Sequence, residues 1–249
     1  MGLTCYSSDP GIGSPPDYRV LQEPLVVTSR NTSAGIFITL EGGEGSGKTT
    51  QASRLCRFLE AQGYKVLHTR EPGGTAVAER LRSILLEGST ETIARETEAL
   101  LILAARRQHV DHVITPALRR GMTVVCDRFS DSTLAYQGYA RGLDLKFLRA
   151  MNDWATAGLT PDLTLLFDIP VAIGLRRRQG QTASQNRLDR EAERFHKAVR
   201  AGFLQLARRE PRRITVIDAR PAPDSVAAAV ATIVREWLRV HRKRKRGRG

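Results

Sequence analysis

Three features of the chain predict an α/β fold with an open, parallel, five-stranded sheet flanked by helices. Five short, β-branched apolar runs alternate with longer segments of helical period. The first run, Ile36–Leu40, is apolar at nearly every position, as in strands buried on both faces. It leads straight into Gly42-Gly43-Glu44-Gly45-Ser46-Gly47-Lys48-Thr49, which has the spacing of a phosphate-binding loop.

That spacing has a chemical reason. Small residues let successive backbone N–H groups turn inward onto a polyphosphate with no Cβ in the way. Lys48 reaches the β- and γ-phosphates, Thr49 places a hydroxyl where Mg²⁺ sits, and Thr50 continues into the helix. The helix opening at Gly47 aims the positive end of its dipole at the same anion. A glycine-rich turn matching by chance would lack the flanking context. Here an apolar strand precedes it and an amphipathic helix (Ala52, Leu55, Cys56, Leu59) follows. These residues define a P-loop NTPase-type nucleotide site.

Length and charge set the outer bounds. The chain has 249 residues, 41% of them hydrophobic, which is enough for one domain with a sizeable core. No apolar run reaches the length of a membrane span. Cys5, Cys56 and Cys126 are too few and scattered for a disulfide framework, so reduced thiols and a cytoplasmic setting are expected. Of the net charge of +13, six charges fall in the closing HRKRKRGRG. Residues 241–249 therefore read as a basic, disordered tail, with nucleic-acid binding as the alternative use; no aromatic interleaves for base stacking. Residues 1–34, rich in Pro, Ser and Gly, read as a flexible extension. The intervening 35–240 form the P-loop domain, with no internal repeat.

Beyond the loop the elements follow in order. Lys65–Thr69 is a second strand that delivers Arg70-Glu71-Pro72-Gly73-Gly74 at its C-terminal end, the ligand-binding edge of such sheets. A guanidinium there suits a second phosphate; a solvated surface ion pair is the bland alternative. One helix carries Val77, Leu81, Ile84 and Leu85. The next, about 92–114, is apolar over much of its circumference and so either central or at a subunit interface, with Ile102 and Arg106 upon it. Thr115-Pro116 reads as the cap of a separate short helix. Thr123–Cys126 is a third strand, ending in Asp127-Arg128. The carboxylate there is placed to complete a Mg²⁺ shell, with a second cation beside it. Ser132 and Tyr136 share one helical face, Thr133 and Gln137 another, supplying hydrogen bonds for a base or sugar. Asp162–Asp168 is the fourth strand. The basic, glycine-containing stretch from about 176 to 190, with Arg176, Arg178 and Arg187, reads as a flexible lid over a polyphosphate. Ile214–Asp218 is the fifth strand, and a last helix packs through Val226, Val230, Ile233 and Trp237.

Taken together, GGEGSGKTT, TREPGG, DRFSDSTLAYQG and the basic lid ending in RLDRE resemble bacterial thymidylate kinase, in that order, from about Gly35 to Trp237. The resemblance implies a fold of the nucleoside monophosphate kinase group, transfer of phosphate from ATP to dTMP with Mg²⁺, and a homodimer. It implies that Lys48 and Thr49 hold the ATP phosphates and the metal, with Asp127 near that metal. Glu44 falls near the dTMP sugar and phosphates, and Arg70 and Arg128 on the dTMP phosphate. Arg106, Ser132, Thr133 and Gln137 fall where the family reads thymine, and Tyr136 where it crowds the sugar 2′ position. Gly45 stands where relatives carry a basic residue, which resembles the group whose lid arginines supply that charge: Arg176, Arg178 or Arg187. Ile102 stands where relatives usually stack Phe on the base, so weaker dTMP binding or relaxed base choice is expected. A kinase for another nucleoside monophosphate, or a nucleic-acid binder acting through the tail, are the alternatives. The absence of an Asn-Lys-x-Asp signature argues against a GTPase.

Overall fold

A computed structural model describes residues 35–87, 91–179 and 187–246, the side chains of 190 and 242–246 excepted. The N-terminal extension (1–34), the middle of the lid (180–186) and the last three residues lie outside that description.

Five parallel strands stand in the order β2-β3-β1-β4-β5. They are β1 (Ile36–Gly42), β2 (Val66–Arg70), β3 (Thr123–Asp127), β4 (Leu163–Asp168) and β5 (Ile214–Asp218). The central strands are buried on both faces: β3 along its whole length, and β1 at every position after Ile36. Register places Leu40 of β1 and Arg70 of β2 each beside Asp127 of β3. Three neighbouring strand tips therefore deliver the phosphate loop, Asp127-Arg128 and Arg70 to one edge.

The helices pack on both faces. On one side α1 (Lys48–Ala61) and α9 (Pro223–Arg246) bury Leu55, Leu59, Val226, Val230, Val234 and Leu238 against the sheet. Ile233 and Trp237, expected to lead that contact, flank it half-buried instead. On the other, α8 (Glu193–Arg209) lays Val199, Phe203 and Leu206 against the segment that follows β3. A third cluster joins Phe37 and Val124 to Val110, Ile114 and Ala117.

Several boundaries move. The long helix starts as α3 at Arg95 (Arg95–His109) rather than at 92. It does not stop at Ile114 either: a π-helical turn, Val110–Ile114, runs into α4 (Thr115–Arg119). Thr115 is no cap, because the preceding Ile114 is already helical, and Pro116 is tolerated where its missing N–H falls beside the wide turn. After α5 (Ser130–Thr133) a second π-helical turn spans Leu134–Ala140. Thr75 caps α2 (Ala76–Leu86) through Ala78 N at 3.1 Å, and Asp144 caps α6 (Leu145–Thr156) through Phe147 N at 2.6 Å. Lastly α7 (Val171–Gln179) begins the stretch expected to form a lid. The basic residues from 241, expected to form a disordered tail, continue α9 to Arg246, and Trp237 stacks on His241 at 4.4 Å. Among the described residues no helix is long and apolar enough to cross a membrane.

Candidate active site

A cleft of about 640 Å³ opens along the strand tips, within the usual range for a small-molecule site. Its walls include Lys48 and Thr49 from the loop, Arg70 from β2, and Asp127 and Arg128 from β3. The two arginines expected on a second phosphate thus face the same space as the loop lysine.

The loop itself is built by its glycines. Gly47 caps α1 at φ +84°, and Gly45 lies at φ +66°. A Cβ on Gly45 would lie 2.0 Å from the carbonyl oxygen of Gly174 in α7, and one on Gly174 would lie 2.4 Å from that of Glu44. The two glycines let α7 press against the loop. Lys48 Nζ donates to Gly43 O at 2.8 Å and Ser46 Oγ at 3.3 Å. Burial first, then the nearby Arg128 charge, push its ammonium down to about 8. Thr49 Oγ1 donates to Asp127 Oδ2 at 2.6 Å.

Arg128 adopts φ +71°, which turns its side chain back across the loop. Its Nη2 donates to Glu44 Oε1 at 2.7 Å and its Nη1 to Gly42 O at 3.2 Å, and its guanidinium lies 4.9 Å from the Tyr136 ring centre. Tyr136 donates its hydroxyl to the same Glu44 oxygen at 2.8 Å. Burial would raise the Glu44 carboxyl, but Arg128, Lys48 and the Tyr136 hydroxyl overcome it and hold it at about 2. Glu44 is therefore a fixed carboxylate, an anchor for cations rather than a proton carrier.

The far end of the cleft is organised by Arg106, only 2% exposed. Its Nε donates to Glu71 Oε2 at 2.7 Å, its Nη1 to Thr133 Oγ1 at 2.7 Å and Asn152 Oδ1 at 2.6 Å, and its Nη2 to Phe129 O at 3.0 Å. Of five N–H groups one remains, on Nη2. Ile102, Ser132, Thr133 and Gln137 line the cleft. Glu71, expected to touch substrate, belongs to the cleft wall, where it accepts from Arg106 and also pairs with His109 Nδ1 at 3.1 Å.

Among the lid arginines, Arg178 pairs with Asp189 at 3.0 Å and lines the cleft. Arg187 donates to Leu85 O at 3.1 Å and to Glu98, and Arg176 is exposed and outside the cleft wall. Sequence reading passed over Arg177, which stands in the wall with its guanidinium fixed on Ala219 O (2.9 Å) and Arg220 O (2.8 Å). It also passed over Arg82, which burial and the neighbouring Arg70 charge push below the usual arginine range, a sign of cations gathered for an anion. Nothing in local pattern marks Arg82, since only folding brings α2 beside β2. Glu41 did offer a signal: a carboxylate inside an apolar strand must be partnered. It accepts from Phe129 N at 2.8 Å and Ser132 Oγ at 2.6 Å.

A phosphate loop with a facing second cluster of cations and a pocket of directional hydrogen bonds defines a class: P-loop proteins that hold two phosphorylated ligands end to end. The family model for thymidylate kinase matches residues 40–230. The chain belongs to the thymidylate kinase family. It is 47% identical over 220 residues to the thymidylate kinase of Desulfovibrio desulfuricans, covering 86% of this chain and 99% of that protein. It is 51% identical over 212 residues to that of Thermomicrobium roseum, covering 85% and 97%. A crystal structure of thymidylate kinase from Ehrlichia chaffeensis matches with TM-score 0.64 at 33% identity, over 81% of this chain and 99% of that one.

Proposed function

We propose that this chain phosphorylates dTMP to dTDP with ATP as donor, and that the residues above carry out the transfer. The observation that carries the reading is that Arg70 and Arg128, on adjacent strand tips, share one cleft with Lys48. Lys48 and the backbone N–H groups of Gly43 to Thr49 take the β- and γ-phosphates. Arg128, with Arg70 and Arg82, receives the dTMP phosphate. Phosphoryl transfer asks for cations at the equatorial oxygens and in-line placement more than for covalent chemistry. Arg178 is the lid arginine whose position suits the transferring group.

Mg²⁺ suits the Thr49–Asp127 pair. A hydroxyl and a carboxylate 2.6 Å apart offer two hard oxygens, and this ion commonly takes the rest from phosphate and water. No cluster of three His, Cys, Asp or Glu among the described residues offers an all-protein cage, in keeping with that mode. When bound, the ion neutralises charge building on the phosphate oxygens.

At the acceptor end, the last Nη2–H of Arg106 suits a base carbonyl, and Gln137 faces the same ring. Tyr136, pinned by Glu44, is fixed where it crowds a ribose 2′ hydroxyl. The exposed Val77 and Ile84 on α2, Leu100 on α3, and Phe147 and Trp154 on α6 support a homodimer through that helical face, in a cytoplasmic enzyme. The test is an ADP-release assay with ATP and Mg²⁺, comparing dTMP, dUMP, dCMP and GMP. Preference for dTMP, with turnover nearly abolished in Lys48→Ala, is expected; equal rates on all four, or an active Lys48→Ala, refute the reading.

A further inference from the structure

One buried carboxylate plays no part in the transfer as described. Glu98, on the first turn of α3, has a side chain only 2% exposed. Its Oε1 accepts from Gln137 Nε2 at 2.8 Å and from Arg141 Nε at 3.2 Å. Its Oε2 accepts from Arg141 Nη2 at 3.2 Å and from Arg187 at the C-terminal base of the lid. Arg141 is held in turn by Glu191 at 2.6 Å and lies over the Phe195 ring at 4.5 Å. Burial would raise the Glu98 carboxyl; bonds from Arg187, Gln137 and Arg141 overcome it and bring it below the usual range.

We infer that Glu98 is a positioning residue that sets the polarity of the Gln137 amide and thereby which pyrimidine the cleft accepts. The inference rests on the dTMP reading and extends it. A side-chain amide has two faces of opposite hydrogen-bonding sense, a carbonyl that accepts and an NH₂ that donates. An ionised carboxylate only accepts, so the face of Gln137 turned to Glu98 must be the NH₂. The carbonyl Oε1 then points the other way; it has no bond to the described residues, and Gln137 belongs to the cleft wall. An acceptor there matches the N3–H of thymine and opposes N3 of cytosine, which bears no hydrogen. The uncommitted N–H of Arg106 reads the same distinction at C4, favouring a carbonyl over an amine. Arg141 and Arg187 keep Glu98 charged, so the amide does not turn over. Arg187, held on this carboxylate, serves the base pocket rather than the phosphates.

The test compares kcat/KM for dTMP with that for dCMP. Glu98→Asp keeps the negative charge but draws the carboxylate back by one methylene from Gln137, and from Arg141 and Arg187 with it. Glu98→Gln removes the charge and frees the amide to turn. Each should lower the dTMP-to-dCMP ratio about three- to tenfold, the worth of one hydrogen bond, mainly through KM. In a Gln137→Leu background neither should lower it further. A merely structural role would depress both substrates together and leave the ratio alone. An unchanged ratio in a folded variant, or an equal fall in the Gln137→Leu background, overturns the inference; should Glu98→Gln not fold, Glu98→Asp decides. Wild-type protein inert towards dTMP would instead refute the substrate reading.

Discussion

Replacing Glu71→Gln separates the charge of Glu71 from its shape. The side chains of Glu71 and Arg106 are 3% and 1% exposed, with Nε 2.7 Å from Oε2. Glutamine keeps the volume and one acceptor for Arg106 Nε, and it reverses the bond to His109, whose Nδ1 must then accept. His109 can shift its proton to Nε2, where Thr69 Oγ1 lies 2.7 Å away. What disappears is the counter-charge of a buried guanidinium. Breaking a buried pair by removing one partner costs about 3–5 kcal/mol. The low end applies, because Arg106 keeps Thr133, Asn152 and Phe129 as acceptors. A loss of about 3 kcal/mol is a large share of the 5–15 kcal/mol typical of a domain, yet leaves it folded at room temperature. At about 2–4 °C per kcal/mol for a chain of this size, Tm should fall by about 6–12 °C. With Arg106 less firmly aimed, KM for dTMP should rise while kcat changes little. Urea and thermal melts give the first quantity and steady-state kinetics the second. A variant within about 1 kcal/mol of wild type with an unchanged KM would show that the guanidinium does not depend on this charge.

Three further outcomes are expected. Ile102→Phe should lower KM for dTMP about five- to 150-fold, since base–aromatic stacking is worth about 1–3 kcal/mol; no change or a rise would refute the stacking argument. Burial, and secondarily Asp131, push the Glu41 carboxyl from 4.5 up to about 8, so the native state keeps a proton that the unfolded chain releases. Its contribution to stability is therefore full below about pH 4.5 and is lost as pH rises towards about 8. Relative to Glu41→Gln, wild type should lose up to about 1.4 kcal/mol per pH unit across that window, and parallel urea-melt profiles would refute it. Gly45→Arg should weaken ATP binding and lower Tm, because its Cβ meets the Gly174 carbonyl oxygen and φ is +66°; a wild-type melt with unchanged KM for ATP would show that α7 can retreat.

The sheet was readable in the sequence because its central strands are apolar and buried on both faces, and each strand placement held to within a residue or two. The loop and Asp127-Arg128 were equally plain, since short motifs follow strands and the fold fixes where strand tips go. The turns were less so. The spacing of Ser132, Thr133, Tyr136 and Gln137 fits an α-helix, yet the backbone widens into a π-helical turn from Leu134. Tyr136 reaches Glu44 while Gln137 reaches Glu98, on a different side of the cleft. Helical period carries no signal for that widening. Arg82, Asn152 and Glu98 stayed hidden for another reason: their partners are distant in sequence, and each alone is an ordinary polar residue on a helix. At the basic tail charge density suggested disorder from 241, whereas α9 runs on to Arg246.

The buried acids of the cleft follow one physical pattern. Glu71 holds Arg106 and Glu98 holds Gln137, each carboxylate behind a side chain that lines the cleft. Donors and acceptors in the cleft can read a base only if they do not rotate, and a neutral hydroxyl or amide in a cleft open to water has little to stop it. A desolvated carboxylate supplies that restraint, because a bond to an ionised group is roughly twice as strong as a neutral one. The arrangement has a cost: charged carboxylates at Glu44, Glu71 and Glu98 would repel a phosphate ligand unless arginines offset them. Arg128 balances Glu44 at the phosphate end, Arg106 balances Glu71, and Arg141 with Arg187 balances Glu98. Glu41, with no cation bonded to it, is the one pushed up to about 8 and kept neutral instead. Changing which base this cleft accepts would therefore require altering the acid behind a reading side chain as well as the side chain itself.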